Sequence, residues 1–288
     1  MLITNLMAAS AAKIFNPTIA TMDNNNTQDE EDKKKAQEEK KRKALARMNI
    51  STLNQCVAQA QKKLLEEKDK SQDMADENVY KAHANTLMWV ANNIVLAHQR
   101  RKFVVDDNNS SVLRFLLYYF NGSPLAEEVF PGRGYKLHKH ILLHGTAGTG
   151  KTLLMQIFSE YLRITENPRF FYNLSVTQMV NYYTLHNNLD RYTFNEEENK
   201  GFKCMPVNIC LNDIGVQSTK FYGTDTELLT NEFLHARNEI WVNDHKMAHL
   251  TTNLTIQQLN QKYKDGYNRL IDRFKTYNAI PINGESRR

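Results

Sequence analysis

Cysteine is scarce in this chain. Its 288 residues hold three, Cys56, Cys204 and Cys210, an odd number without C-x-x-C spacing, which excludes a disulfide framework and a zinc site of the usual thiolate pattern. Long apolar runs are also missing. No stretch approaches the ~20 residues that cross a bilayer, so no membrane partner is expected. The first ten residues, Met1-Leu-Ile-Thr-Asn-Leu-Met-Ala-Ala-Ser, carry no basic residue ahead of their apolar stretch, so no secretory signal is expected and a reducing cytoplasm is the default compartment. A strong charge excess is lacking too. The formal net charge of +5 favours polyanionic partners but is too small for this length to diagnose nucleic-acid binding.

What is present is concentrated in eight residues. Gly145, Thr146, Ala147, Gly148, Thr149, Gly150, Lys151 and Thr152 read G-T-A-G-T-G-K-T, a complete Walker A loop between an apolar run, Ile141-Leu142-Leu143, and a helical pattern that starts at Leu153. The glycines let backbone N–H groups approach phosphates without a Cβ in the way. The following helix adds its free N-terminal N–H groups and the positive end of its dipole. Lys151 reaches the β- and γ-phosphates, and the Thr152 hydroxyl is placed to ligate Mg²⁺. An ATP or GTP site is the central expectation.

Hydrophobic content of 41 % and charged content of 24 % describe a globular chain, long enough for one sizeable core and a smaller appended module. Composition divides it into three segments. Residues 1–27 read as a flexible segment, Asn-rich at its end. Residues 28–102 read as a charged, helical, partner-binding region: Asp29-Glu-Glu-Asp leads Lys33-Lys-Lys and Lys40-Lys-Arg-Lys, a pattern that suits an exposed helix or a basic arm on DNA. Apolar residues from Val79 to Leu96 recur near 3.6, as in helices that pack on a partner or on each other. Residues 103–288 read as the P-loop domain, with a helix expected over 110–120. Strands are expected at 138–144, 169–174, 207–212, 247–252 and 277–282, with helices at 151–163, 175–187, 225–242 and 255–262. Such alternation gives an α/β fold, a parallel sheet flanked by helices on both faces. Ligands then sit at the carboxyl ends of the strands.

A phosphate site also needs an acid at the end of a neighbouring buried strand. Val207-Asn-Ile-Cys-Leu211 followed by Asn212-Asp213 is the one good candidate, and Thr251-Thr252-Asn253 follows another apolar strand where an amide can face the γ-phosphate or attacking water. Arg269 and Arg273 lie four apart, on one face of a helix. They either form surface salt bridges with Asp265 or Asp272 or serve as an arginine finger for an adjacent subunit.

These segments, in this order, resemble the AAA+ ATPases of the DnaC and IstB type, helicase loaders and transposition helper ATPases. The resemblance covers about 103–288 and rests on Gly145–Thr152, Leu211-Asn-Asp-Ile-Gly215 with Lys220-Phe-Tyr-Gly223, Thr251-Thr-Asn253 and Arg269-x-x-x-Arg273. It implies a P-loop core without a helical lid domain, ATP and Mg²⁺ as cofactors, Asn253 as the γ-phosphate sensor, and Arg273, with Arg269 as second candidate, as the finger. One departure stands out. Asn212 occupies the position of the Mg²⁺-associated aspartate, and Asp213 that of the water-activating acid. Asn keeps an oxygen acceptor but loses the charge that orients the metal's waters, so slow or partner-stimulated hydrolysis is expected, with Asp213 either polarising water or taking over the metal contact.

The resemblance further implies a replicative helicase or a transposase-type protein as partner, contact with single- or double-stranded DNA, and self-association in the ATP state. Two outputs stay open, loading of a helicase and ATP-switched DNA targeting in transposition or phage replication. Tyr182, Tyr183, Arg191, Tyr192 and Phe194 either stack on a strand of nucleic acid or pack among helices. His138, His140 and His144 share one face of the first strand without a cysteine or carboxylate, which favours a solvated or packed face over a metal.

Overall fold

The computed structural model describes residues 26–69, 73–196, 205–215, 220–221, 223–264 and 269–287. The expectations for residues 1–25, Cys204, Tyr222 and Asp265 lie outside the described residues. The chain divides into two compact units, Met1–Lys68 and Asp69–Arg288.

Among its described residues the first unit is a single helix, α1 (Asn26–Asp69), of 44 residues. Its described side chains, at 33–47 and 52–62, are all exposed. The acid-before-base spacing acts as expected, for instance in the Glu39–Lys43 pair at 2.7 Å one turn apart. Such pairs contribute only a few tenths of a kcal/mol each, about 0.3–0.5.

The second unit begins with α2 (Glu77–Val90), which runs into a π-helical turn at Ala91–Val95, and α3 (Ser110–Phe120). Then follow β1 (His140–His144), α4 (Lys151–Ile164), β2 (Tyr172–Ser175), α5 (Val176–His186), β3 (Ile209–Ile214), a small hairpin of β4 (Lys220–Phe221) and β5 (Thr224–Asp225), α6 (Thr226–Asp244), β6 (Ala248–Thr252), α7 (Ile256–Lys262), α8 (Arg269–Phe274) and β7 (Tyr277–Pro281). The five long strands form one sheet in the order β2-β3-β6-β1-β7, every neighbouring pair parallel. Parallel neighbours need crossovers, and the helices supply them on both faces.

Period-two alternation decides which face each strand residue serves. Ile141 and Leu143 pack with Leu87 of α2, Leu116 of α3 and Phe158 of α4, whereas Leu142 packs on the other face with Val180 of α5 and Phe233 of α6. Side-chain caps fix where the helices start: Ser175 with Gln178 and Thr255 with Gln258 form reciprocal capping boxes, and Asp225 accepts from the N–H groups of Glu227 and Leu228. The fold is an α/β P-loop core, as the resemblance implies.

The structure shifts one expected boundary. Residues 73–102, grouped in sequence with the charged region, belong instead with the P-loop unit. Leu87, Val90 and Ala91 are buried in the same core as α3 and α4. A ring nitrogen of His83 meets the Tyr161 hydroxyl, which in turn bonds Asn121 of the α3 C-cap at 3.0 Å. The helical apolar spacing of 79–96 is therefore the face that α2 turns to the main core. Leu87→Ala should lower the unfolding free energy in urea by about 2–4 kcal/mol. Leu53→Ala in α1, at a side chain 64 % exposed, should change it by less than about 0.5 kcal/mol; equal losses would contradict this assignment.

Candidate functional site

β1 lies inside the sheet between β6 and β7, and the chain leaves it directly into the loop. Gly145, Gly148 and Gly150 all have positive φ, at 140°, 82° and 92°. At Gly145 no other residue fits, since a Cβ would come within 2.2 Å of the Ile282 carbonyl oxygen. Gly150 caps α4 in the left-handed region, and the first N–H groups of that helix open toward the loop. Lys151 is buried, and its Nζ donates to the carbonyls of Gly145 (2.9 Å) and Thr146 (2.7 Å). Its ammonium therefore lies curled within the loop. Phosphate oxygens are stronger acceptors than these carbonyls for an ammonium.

Beside the loop lies a solvent-open cleft of about 290 Å³, lined by Lys151, Thr152, Asp213 and Asn253 among others. These four residues thus follow the ends of β1, β3 and β6. Thr152 Oγ1 faces Asp213 Oδ2 at 3.5 Å. A hydroxyl and a carboxylate are the hard oxygen ligands that Mg²⁺ takes, so the residues present fit that ion. An adjoining cavity of about 220 Å³ is walled by Leu96, Phe103, Val104, Leu153 and Ile282, apolar enough to take a planar base.

Asn212 departs from its expected place. It is not among the residues that line the cleft, because its buried amide turns into the sheet. There Nδ2 donates to Asn173 Oδ1 (3.1 Å) and Oδ1 accepts from Thr251 Oγ1 (3.2 Å). The cause is a bulge in β3. Leu211 pairs with Leu250 but Ile214 with Thr252, so three steps on β3 match two on β6. Asp213 takes a φ of 60°, a region that Asp enters more readily than most residues. Its N–H donates to Thr251 Oγ1 at 2.9 Å. Thr251 is thus a positioning residue that the sequence reading passed over in favour of Asn253.

Of the paired arginines, Arg273 is half-buried and meets a ring nitrogen of His235 in α6. It does not line the cleft of its own chain. The side chain of Arg269 lies outside the described residues. Among the aromatics, Tyr182 is buried and stacks on His186 with centroids 4.2 Å apart, and Tyr192 packs on it at 5.0 Å. Both serve helix packing.

The histidines of the first strand separate by position. His138 is exposed, His144 half-buried, and His140 buried against Trp241 and Tyr277. His140 Nδ1 accepts the N–H of Ala248 (3.2 Å), and His249 Nδ1 accepts that of Ile141 (3.1 Å). Burial pushes His140 down to about 3 and holds His249 well below the usual imidazole range. The unfolded chain then takes up protons that the folded chain refuses. Stability from His140 is complete above pH ~6.5 and is lost as pH falls toward 3. The melting temperature should fall between pH 6.5 and 4, by an amount corresponding to roughly 2–4 kcal/mol. His140→Asn should flatten that slope; an unchanged slope would exclude His140 as its source.

No protein-family model matches the chain, and no curated protein is similar to it in sequence. Among solved structures it is similar to DnaA from Aquifex aeolicus with AMPPCP bound, at 18 % identity over 64 % of this chain and 49 % of that one, with a TM-score of 0.40. A candidate primosome component from Streptococcus pyogenes serotype M3 is 16 % identical over 65 % of this chain and 85 % of its own, with a TM-score of 0.44. Domain III of DnaA from Thermotoga maritima is 17 % identical over 63 % and 65 %, with a TM-score of 0.43. The chain spans about half the length of the Aquifex protein. The P-loop fold is carried by this chain's own loop, sheet order and crossover helices.

Proposed function

We propose that this protein is an ATP-binding assembly ATPase that acts on a replicative helicase, with single-stranded DNA as a further partner. One observation carries the nucleotide reading: Lys151, Thr152, Asp213 and Asn253, spread over a hundred residues of sequence, line one cleft at the carboxyl ends of adjacent parallel strands. The loop N–H groups and Lys151 bind the phosphates. Mg²⁺, held by Thr152 and Asp213, would neutralise charge on the β- and γ-phosphates. Asn253 orients the γ-phosphate or the attacking water through its amide.

Slow turnover follows from the acid count. With Asn212 folded into the sheet, Asp213 is the one carboxylate lining the cleft among the described residues, and a carboxylate spent on the metal is a poor base for water. Completion by a neighbour supplies what the subunit lacks. Arg273, remote from the cleft of its own chain, is the guanidinium offered to the next subunit, where such a group is worth about 10³–10⁵ in rate. The exposed, charged α1 suits a grip on a protein partner by its length and solvation.

Asp213→Asn should cut ATP hydrolysis at least ~100-fold and weaken Mg²⁺-dependent binding. Arg273→Ala should abolish hydrolysis while leaving nucleotide affinity within a few-fold. Mixing Arg273→Ala with Asp213→Asn subunits should restore part of the rate, since a hybrid interface can pair an intact cleft with an intact Arg273. Absence of any restoration in a mixture shown by light scattering to co-assemble with ATP and single-stranded DNA would exclude the shared site; failure of either ligand to alter assembly would exclude the loader reading.

A further inference from the structure

The segment after β7 runs alongside the phosphate loop and bonds to it at several points. The N–H of Ile282 donates to the His144 carbonyl (2.8 Å) and that of Arg287 to the Gly148 carbonyl (2.9 Å). Thr146 Oγ1 donates to the Gly284 carbonyl at 3.4 Å. Ser286 lies so close over Gly148 that a Cβ there would meet its Oγ at 2.3 Å. In each of these bonds the loop contributes a carbonyl or a hydroxyl. Its N–H groups, the ones a phosphate needs, are used in none of them.

A second set of contacts anchors the segment on its other side. Arg101 Nη1 donates to the Arg287 carbonyl (2.8 Å). Arg287 Nη2 donates to both oxygens of Asp106 (2.9 and 2.7 Å) and Nη1 to the Val104 carbonyl (3.3 Å). The guanidinium beside Asp106 holds that carboxyl below the usual carboxylate range. Arg101 and Arg287 both line the cleft that holds Lys151, Thr152 and Asp213. Its described wall thus carries three cations and one carboxylate, a balance that suits a polyphosphate with its metal.

We propose that residues 284–287 are a built part of the nucleotide site: they brace the phosphate loop from its carbonyl side and, through Arg287 with Arg101, present two further cations to the phosphates. This rests on the nucleotide reading above. Arg287 is a binding residue, and Asp106 positions it. The backbone bonds of Ile282, Gly284 and Arg287 leave the loop's N–H groups to the phosphates, and the segment joins the loop to the linker ahead of α3, which also walls the apolar cavity.

The test is titration of the full chain with a fluorescent ATP analogue and Mg²⁺, with dissociation followed by stopped flow. Arg287→Ala should raise Kd about tenfold or more, chiefly through faster dissociation, and Arg287→Lys should recover part of the loss. Asp106→Asn, which keeps the cation but loses its anchor, should weaken binding by less. The double variant should bind no worse than Arg287→Ala alone, because Asp106 acts through Arg287. Should Arg287→Ala lose its thermal unfolding transition, Arg287→Lys and Asp106→Asn decide the question. Wild-type affinity in the Arg287 and Asp106 variants, with Lys151→Ala unable to bind, would overturn the inference and leave the nucleotide reading standing. A wild-type chain that binds no nucleotide would overturn both.

Discussion

The Thr251 hydroxyl ties together Asn212 and Asp213, the two residues at the end of β3 beside the cleft. It accepts the N–H of Asp213 and donates to the amide oxygen of Asn212. Strict alternation would send residue 213 to the sheet face opposite α4, along with Leu211. The bulge inserts one residue, and the left-handed turn at Asp213 brings its carboxylate back beside Thr152 at the head of α4. Asn212 is then enclosed with Asn173 and Thr251, where an amide has a partner for its donor as well as its acceptor. A carboxylate in that pocket would face the Asn173 oxygen that now accepts from Asn212. Asn at 212 is therefore consistent with its surroundings, and the next residue, Asp213, carries the carboxylate that lines the cleft.

Around that point the fold and the site reinforce one another. A parallel sheet opens its strand ends on one side, β1 delivers the loop there, and β3 and β6 deliver Asp213 and Asn253 to the same cleft. The close approach of Ile282 to Gly145 ties β7 to the loop, so the strand paired with β1 also sets the path of the segment that follows. Arg287 inherits its place from that path. A site assembled from five stretches of chain is held by sheet register more than by any single contact.

The repeating parts of this structure were legible in the sequence because periodicity reports burial. Each of the five expected strands and the helices over 110–120, 151–163, 175–187, 225–242 and 255–262 overlaps an observed element closely. The Walker loop was legible because its glycines answer a local need. Asn212 was misplaced because a bulge leaves no mark on alternation: Cys210-Leu211-Asn212-Asp213 reads as a plain strand end, and only the hydroxyl of Thr251, 38 residues on, reveals the extra residue. The boundary near 69 was hidden because α2 carries apolar residues at the spacing of any amphipathic helix, and spacing cannot say whether the buried face meets this chain or another. Arg287 gave no signal at all, its partner Asp106 lying 181 residues away.

In the proposed site Asp213, not Asn212, faces the metal of a nucleotide held by the Walker loop. The most direct test is electron paramagnetic resonance of Mn²⁺, substituted for Mg²⁺, bound to the protein with ATP. Phosphorus hyperfine coupling should be present in the wild-type complex, be retained in Asn212→Ala, and be lost or strongly weakened at the same concentrations in Asp213→Asn. Loss in Asn212→Ala with full retention in Asp213→Asn would contradict the account.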